Sequence, residues 1–341
     1  MSDEIKISVI IPTHNRPDKL IRTLSGLMDQ EIVGADYEII VVDDGSTPPV
    51  SLSETSNKYS CKLVRSEKLG RSAARNSGAT AAKGQMIIFI DDDMQVEQDF
   101  LAEHLAAHLE SPDALRVGAI HLPEESRKTP FGKFRHDLEQ HCVPQSGEES
   151  CAPNFCAAGN MSMARERFLA LGGFDKSIDS GEDQDFALRH TESKGEIVFV
   201  PKAEAIHCDD ALDIRSYCQR AEWGMKNIMP FSQRYPNFPD NVERERVNGV
   251  IRFGREPLGI SLRKALKLIL IFKPVLETLF FIASALERIA PDSAVLDRTY
   301  CLLLGAHLLR GYRNGMRQTA ISRSGSSANH QMPSERIEAE S

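Results

Sequence analysis

Aromatic residues make up only 6% of the 341 residues, with a single tryptophan, Trp223, and no cationic excess offsets the 49 acidic side chains. Against 41 Lys and Arg the formal charge is −8, which excludes a generic nucleic-acid binder. Glycine-rich phosphate loops are missing too. No Gly-x-Gly-x-x-Gly follows an apolar run and no Walker loop is present, so neither a dinucleotide-binding enzyme nor a P-loop enzyme is expected. A Lys/Arg-bearing glycine loop directly after the first strand is also absent, its place being held by Pro12-Thr13-His14-Asn15-Arg16, which speaks against a nucleotidylyltransferase. The seven cysteines, at 61, 142, 151, 156, 208, 218 and 301, form no regular framework and read as reduced cytosolic thiols. The acidic start Met1-Ser2-Asp3-Glu4 runs straight into a strand and does not resemble a signal peptide. The longest apolar stretch, after Leu258, is interrupted by Lys267, Lys273, Pro274 and Glu277, so a spanning helix of about 20 mostly apolar residues is not expected.

What is there is an ordinary globular composition, 41% hydrophobic and 26% charged, long enough for a full core. The charge is uneven. Residues 243–317 carry +6, leaving −14 for the rest, so a basic appendage follows an acidic body. Over the first 120 residues apolar runs alternate with helical patterns, as in βαβ units around a buried parallel sheet. Ile7 to Ile11 ends at Pro12 to Arg16, with Leu20, Leu24 and Leu27 at helical spacing behind it. Glu38 to Val42 ends at Asp43-Asp44-Gly45-Ser46, Leu63-Val64 leads to Gly70 and a helix over 71–82, and Met86 to Ile90 ends at Asp91-Asp92-Asp93. Ligands of such sheets bind beyond the carboxyl ends of the strands, so these polar tips are expected at one site.

A helix over 99–111 and a strand over 117–122 follow, and 123–153 then reads as a long loop. With Phe131, His136 and His141 it is either a lid ordered by ligand or a surface insertion. Beyond it come ordered residues 155–163, a helix over 165–171, the turn Gly172-Gly173-Phe174-Asp175, and a short helix carrying Glu182, Asp183, Phe186 and Arg189. Strands over 197–200 and 203–207 close this part. From Leu258 an amphipathic stripe of Leu268, Phe272, Val275, Leu279, Ile282 and Leu286 predicts a helical hairpin with 302–309, suited to packing on the preceding domain, a second subunit, or an anionic membrane surface.

Three consecutive aspartates at a strand end raise each other's ionisation cost and call for a cation, with Mg²⁺ or Mn²⁺ suited to such oxygen ligands beside substrate phosphates. Asp44, at the neighbouring strand end, suits a nucleobase or ribose, and Arg71 and Arg75, one turn apart, suit a diphosphate or the acidic cluster. His104 and His108 with Glu103 mimic a metal pair without a third ligand, as does Cys151-x4-Cys156. Trp223 suits packing or sugar stacking.

Ile7 to Arg16, Val41 to Ser46, Gly70-Arg71-Ser72-Ala73-Ala74-Arg75-Asn76-Ser77-Gly78, Phe89 to Asp93, Gly172 to Asp175, and Gly181-Glu182-Asp183-Gln184-Asp185 stand in order over about 200 residues. Together they resemble the family 2 glycosyltransferases, inverting enzymes with the GT-A fold. The resemblance covers Ile5 to about His207. It implies an α/β, Rossmann-like mixed sheet flanked by helices, with a catalytic domain over 1–242 (nucleotide-binding half 1–122, acceptor-binding half 123–242). A basic helical region over 243–317 and a disordered tail over 318–341 are expected after it.

The resemblance further implies a nucleotide-sugar site of Pro12, Thr13, Asn15, Arg16, Asp44, Arg71, Asp91 and Asp92. Asp93 would ligate Mn²⁺ or Mg²⁺, with Asp91 and His207 as further ligands. Asp183 would be the general base and Glu182 would bind or orient the acceptor hydroxyl, while Ala157 to Met161, with Gly159, would let backbone approach the donor sugar. The implied donor is a UDP- or GDP-sugar, and the acceptor a sugar or lipid-linked sugar in bacterial cell-surface assembly. Cytoplasmic residence is implied, peripheral at the inner membrane through 258–310, with homodimerisation open. A catalytically silent sugar-nucleotide-binding subunit is the alternative from another class.

Overall fold

The computed structural model describes residues 5–32, 36–52, 61–139, 151–209 and 213–328. Two compact units divide the chain, Met1–Ser216 and Tyr217–Ser341, a boundary 26 residues before the expected 242.

The first unit is built on an eight-stranded sheet of order β3-β2-β1-β4-β7-β6-β8-β5. Strands β1 (Ile5–Thr13), β2 (Asp36–Asp44), β3 (Cys61–Ser66) and β4 (Met86–Ile90) are parallel, as their apolar runs predict. Alternation within β1 feeds both faces of the sheet. Ile7, Val9 and Ile11 pack with α1 (Pro17–Met28) and α3 (Phe100–Glu110), whereas Ile10 packs toward α2 (Arg71–Ala81). Gly78 on α2 lies so close to β1 that an added Cβ would stand 2.4 Å from Ile10 Cγ2. The second half of the sheet mixes directions. β7 (Asn160–Ala164) is antiparallel to both β4 and β6 (Leu115–His121), and β6 is parallel to β8 (Ile197–His207). α5 (Arg165–Ala170) and α6 (Glu182–Glu192) bring Phe168 and Phe186 against Phe89 and Phe174, with ring centroids 5.0 to 5.4 Å apart.

Four expectations change. The expected strands over 197–200 and 203–207 are one strand, β8, whose register against β6 shifts between Gly118 and Ala119. The three-residue strand β5 (Met94–Val96) went unread, because nothing in so short a run has a period; it pairs antiparallel with the end of β8. The expected loop after Leu122 contains a 3-10 turn at Glu124–Lys128 and the helix α4 (Pro130–Glu139), with residues 140–150, including His141 and Cys142, outside the described residues. α4 carries Phe131, Phe134 and Leu138 at helical spacing and is anchored by Arg135 donating to Glu139 at 2.8 Å and to both oxygens of Asp209 at 2.7 and 2.8 Å. The fourth change is at the end of the chain. The expected tail opens as helix, since α12 (Ala294–Ala328) runs ten residues past 318, and 329–341 lie outside the described residues.

The second unit is helical, and α7 (Ile214–Asn227) begins just before it. α8 (Met229–Arg234), α9 (Pro239–Asn248), α10 (Leu258–Leu270), α11 (Lys273–Ile289) and α12 follow. Leu296, Tyr300, Leu303, Ala306 and Leu309 form the buried stripe of α12. Gly311 and Gly315 let it touch α7, since added Cβ atoms would meet Glu222 O at 2.3 Å and Lys226 O at 2.5 Å. The expected hairpin is thus a three-helix arrangement, with Lys273-Pro274 opening α11 instead of continuing α10.

Candidate active site

The carboxyl ends of β1, β2 and β4 bring Thr13, Asp44 and Asp91 to Asp93 to one edge, where the sheet rule puts ligands. Each aspartate of the triplet has its own partners. Asp91 accepts from Arg75 Nη2 at 2.6 Å, Asp92 from Thr13 Oγ1 at 2.7 Å and Arg16 at 3.3 Å, and Asp93 from Arg16 at 3.1 Å with Lys19 Nζ 3.5 Å away. Lys19 was not singled out from the sequence, though it lies one helical turn beyond Arg16 and that spacing is a readable signal.

Ionisation follows partnership. Burial works to raise all three carboxyls. At Asp91 the charges of Arg75 and Arg71 overcome it and hold the group below the usual carboxylate range. At Asp93 the His207 hydrogen bond and charge, with Arg16 and Lys19, do the same. Asp92 goes the other way, because burial outweighs the Thr13 hydrogen bond and the Arg16 charge.

His207 reaches Asp93 through the strand that the sequence concealed. β5 follows the triplet directly and pairs Met94 with His207, and Cys208 N–H donates to Asp93 O at 2.8 Å. His207 Nε2 then stands 3.4 Å from Asp93 Oδ1, and Nδ1 stands 3.7 Å from Asp209. Burial alone would lower the imidazole, but the Asp93 hydrogen bond and the charges of Asp93 and Asp209 raise it. Two ligands at right angles on a cation with bonds of about 2.1 Å lie about 3 Å apart, close to the Asp93 to His207 spacing, so this pair fits a divalent cation. Among the described residues no three His, Cys, Asp or Glu side chains converge at ligand spacing. Asp91, expected as a further ligand, accepts from Arg75.

Arg75, among the largest fully buried side chains, crosses the site. Its Nη1 donates to Glu182 at 2.9 Å while Nη2 holds Asp91, and its guanidinium lies 5.7 Å from the centre of the Phe174 ring. The expected acceptor contact Glu182 is therefore a buried partner of Arg75, and the N-terminus of α6 is fastened to the end of β4. Asp183, next along, is half-buried; its Oδ1 accepts from Gln184 N–H at 2.8 Å and its Oδ2 from Ala158 N–H at 3.4 Å. Burial, with the neighbouring Glu182 charge second, pushes this carboxyl up to about 7. Gly159 keeps room beside the triplet, since a Cβ there would stand 3.0 Å from Asp91 Oδ2 and 2.9 Å from Met94 Cε.

Asp44 is turned inward, accepting from the backbone amides of Leu69 and Gly70 at 2.8 and 2.9 Å, so it shapes the loop that starts α2. Gly70 takes φ +92° there. Asn15, itself at φ +55°, ties the β1 loop to the β2 loop through Ser46 Oγ and Thr47 N–H. Arg71 donates to Asp179 O at 3.3 Å, bringing its guanidinium to the α6 approach. Pro12, at the end of β1, pairs with Val42.

The remaining candidates stay outside. His104 is buried between Asn160 Oδ1 and Ser162 Oγ, both at 2.9 Å, so both of its ring nitrogens are engaged within the fold. Cys151 and Cys156 are buried, and Trp223 belongs to the helical unit.

Residues 8–167 match the family model described as glycosyl transferase family 2. The pre-mycofactocin glycosyltransferase of Mycobacterium tuberculosis (strain CDC 1551 / Oshkosh) is 26% identical over 241 residues, covering 68% of this chain and 48% of the relative. The poly(ribitol-phosphate) beta-N-acetylglucosaminyltransferase of Staphylococcus aureus (strain N315) is 31% identical over 134 residues, 38% of this chain and 41% of the relative. The chain spans about half the length of the curated relatives it matches. Among solved structures, a mannosyltransferase from Pyrobaculum calidifontis, in complex with GDP-Man and Mn²⁺, is similar with a TM-score of 0.60 at 16% identity, covering 93% of this chain and 88% of that one. That likeness carries the fold, the GT-A glycosyltransferase fold expected from the sequence.

Proposed function

Because residues 8–167 match the glycosyl transferase family 2 model, we propose that the chain is a family 2 glycosyltransferase that moves a sugar from a UDP- or GDP-sugar to an acceptor hydroxyl by a metal-dependent, inverting displacement. The observation that carries this reading is the buried Arg75 bridge, which fixes Asp183 relative to the aspartates at the end of β4. A base and a donor-side carboxylate cluster held on one rigid frame suit an in-line attack.

Asp183 takes the proton of the acceptor hydroxyl as that oxygen attacks the anomeric carbon, and the bond to the diphosphate breaks on the opposite side. A carboxyl lifted to about 7 is a stronger base than an exposed aspartate yet is still substantially ionised at neutral pH. Glu182 acts through Arg75, and its negative charge raises Asp183. Arg71, at the entrance to α2, supplies a fork for the diphosphate. Asp93 and His207 would hold the metal. When bound, such a cation offsets the charge developing on the departing diphosphate. A nitrogen donor in the set suits Mn²⁺ better than Mg²⁺, and the substrate phosphates would complete the coordination.

A role on sugar or lipid-linked sugar acceptors at the cytoplasmic side of a bacterial membrane belongs to this proposal, supported by the family and by the basic helical unit. The test is calorimetric titration with UDP, GDP, CDP and dTDP, each with Mn²⁺ and with chelator, followed by donor turnover. Metal-dependent binding of one diphosphate, and loss of turnover in Asp183→Asn with that binding kept, is the expected result. Turnover by Asp183→Asn equal to the unmodified protein overturns the assignment of the base; absence of all turnover in the unmodified protein, with binding kept, returns the silent-subunit reading.

A further inference from the structure

Large apolar side chains at the surface of this protein are concentrated in one short region. Of the twenty exposed large hydrophobic residues among those described, twelve fall between Val250 and Val295. On α10, Leu258, Leu262, Leu266 and Ile269 recur at intervals of four, four and three and form one stripe, all of them exposed. The buried residues of the same helix are Ser261, Lys264 and Leu270, of which Lys264 lies opposite the stripe. Phe253 before the helix, Phe272 at the elbow, and Phe281 on α11 are 74%, 66% and 75% exposed. A patch of this kind marks an interaction surface.

Its length and charge say which kind. At 1.5 Å per residue, the 13 residues of α10 and the 17 of α11 reach about 20 Å and 26 Å, short of a bilayer core of about 30 Å. No single helix among the described residues is long and apolar enough to cross a membrane. The pair α10 and α11 has the apolar content together but is bent by 95°, and two axes meeting at an elbow lie in one plane. Arg255, Arg263, Lys273 and Arg288 are exposed between and beside the apolar residues, against exposed Glu277 and Asp292, while Arg252 pairs with Glu245 at 3.3 Å. The remaining acids of α10, α11 and the segment before them are engaged internally: Glu256 holds Lys264 at 2.6 Å, and Glu287 accepts from Tyr300 at 2.6 Å. An apolar stripe with a basic border fits an anionic lipid surface. A second copy of the chain fits poorly, since a two-fold contact would set like-charged borders against each other.

We propose that the α10–α11 elbow, with the segment leading into it, is an interfacial membrane foot that lies flat in an anionic lipid headgroup layer, its Leu258, Leu262, Leu266 and Ile269 stripe toward the acyl chains. This deepens the membrane placement in the proposed function and rests on it, while flotation is read separately from donor binding and turnover.

Flotation of the full chain with vesicles of pure phosphatidylcholine and of phosphatidylcholine with 30% phosphatidylglycerol tests it. The protein is expected to float with the anionic vesicles on the order of tenfold more than with the neutral ones, and to be released as salt rises. Leu262→Glu with Ile269→Glu should abolish flotation while leaving the folded circular-dichroism spectrum and nucleoside-diphosphate affinity in place. Should that double variant fail to fold, Arg263→Glu, a charge swap at an exposed position, is expected to weaken anionic-vesicle binding about fivefold or more on its own. Absence of flotation, equal flotation with both vesicles, or a salt-stable dimer that the double variant dissociates without any lipid binding each overturns the proposal.

Discussion

Arg75 Nη1 lies 2.9 Å from Glu182 Oε1 across a sequence separation of 107 residues, with both side chains buried. The same guanidinium holds Asp91, so burial of one arginine is matched by two carboxylates. Removing the cation would leave Glu182 without its buried partner and Asp91 with the charge of Arg71 alone. Arg75→Ala is expected to lower unfolding free energy by about 3–5 kcal/mol, measured by urea denaturation. A loss under about 1 kcal/mol would show that water or a neighbouring cation takes its place.

Asp183 gives a pH signature of opposite sign in activity and stability. Its carboxyl stands at about 7 in the folded chain against an ordinary value of 3.8. As a base it is competent only when ionised, so kcat should climb between pH 6 and 8 with a limb near 7. Stability moves the other way. The folded state holds the proton more tightly than the unfolded one, so this group's contribution is full below about pH 4 and is lost as pH rises toward 7. Asp183→Asn should therefore remove turnover and, above pH 7, raise the denaturation midpoint. A lower midpoint at pH 8 would contradict the burial account.

His104 predicts a loss of stability in acid. Burial holds its imidazole down at about 4, against an ordinary 6.5, and the Asn160 contact only partly offsets this. The unfolded chain takes up a proton that the folded chain refuses, so stability falls as pH drops from about 6.5 toward 4. In His104→Gln that part of the slope should flatten, read from denaturation midpoints at pH 4.5 and 7.5. The divalent-metal content of the variant should equal that of the unmodified protein.

Gly78 tests the seat of α2 on β1. The Cβ of an alanine there would meet Ile10 and Val42, both fully buried, at 2.4 and 3.1 Å. Overpacking of this kind costs about 1–3 kcal/mol, more than the gain in helix propensity. Gly78→Ala is expected to destabilise by that net amount in chemical denaturation, and a stabilised variant would show that the helix can lift off the sheet.

The parallel half of the sheet was legible because each buried strand is an uninterrupted apolar run and each helix repeats at three and four residues. The acidic tips were legible for the same reason, since a strand's end is marked where the run stops. Less was readable in the second half. α4 has only three apolar residues at helical spacing, Phe131, Phe134 and Leu138, within a stretch otherwise without period, and is anchored by Arg135 meeting Asp209, 74 residues away, while β5 is too short for any period.

The order of the motifs, the placing of Thr13, Asp44 and the aspartate triplet at strand ends, and the basic character of the last helices were properties of the sequence itself, because hydrophobic period and charge are local. Which aspartate meets which partner was decided only by tertiary structure. Asp91 goes to Arg75, Asp92 to Thr13, and Asp93 to His207 because the neighbours in the sheet and the β5–β8 register bring those groups within reach. Whether a carboxyl then lies below its ordinary range, as at Asp91, or well above it, as at Asp183, depends on how its burial balances against the charges the fold sets beside it.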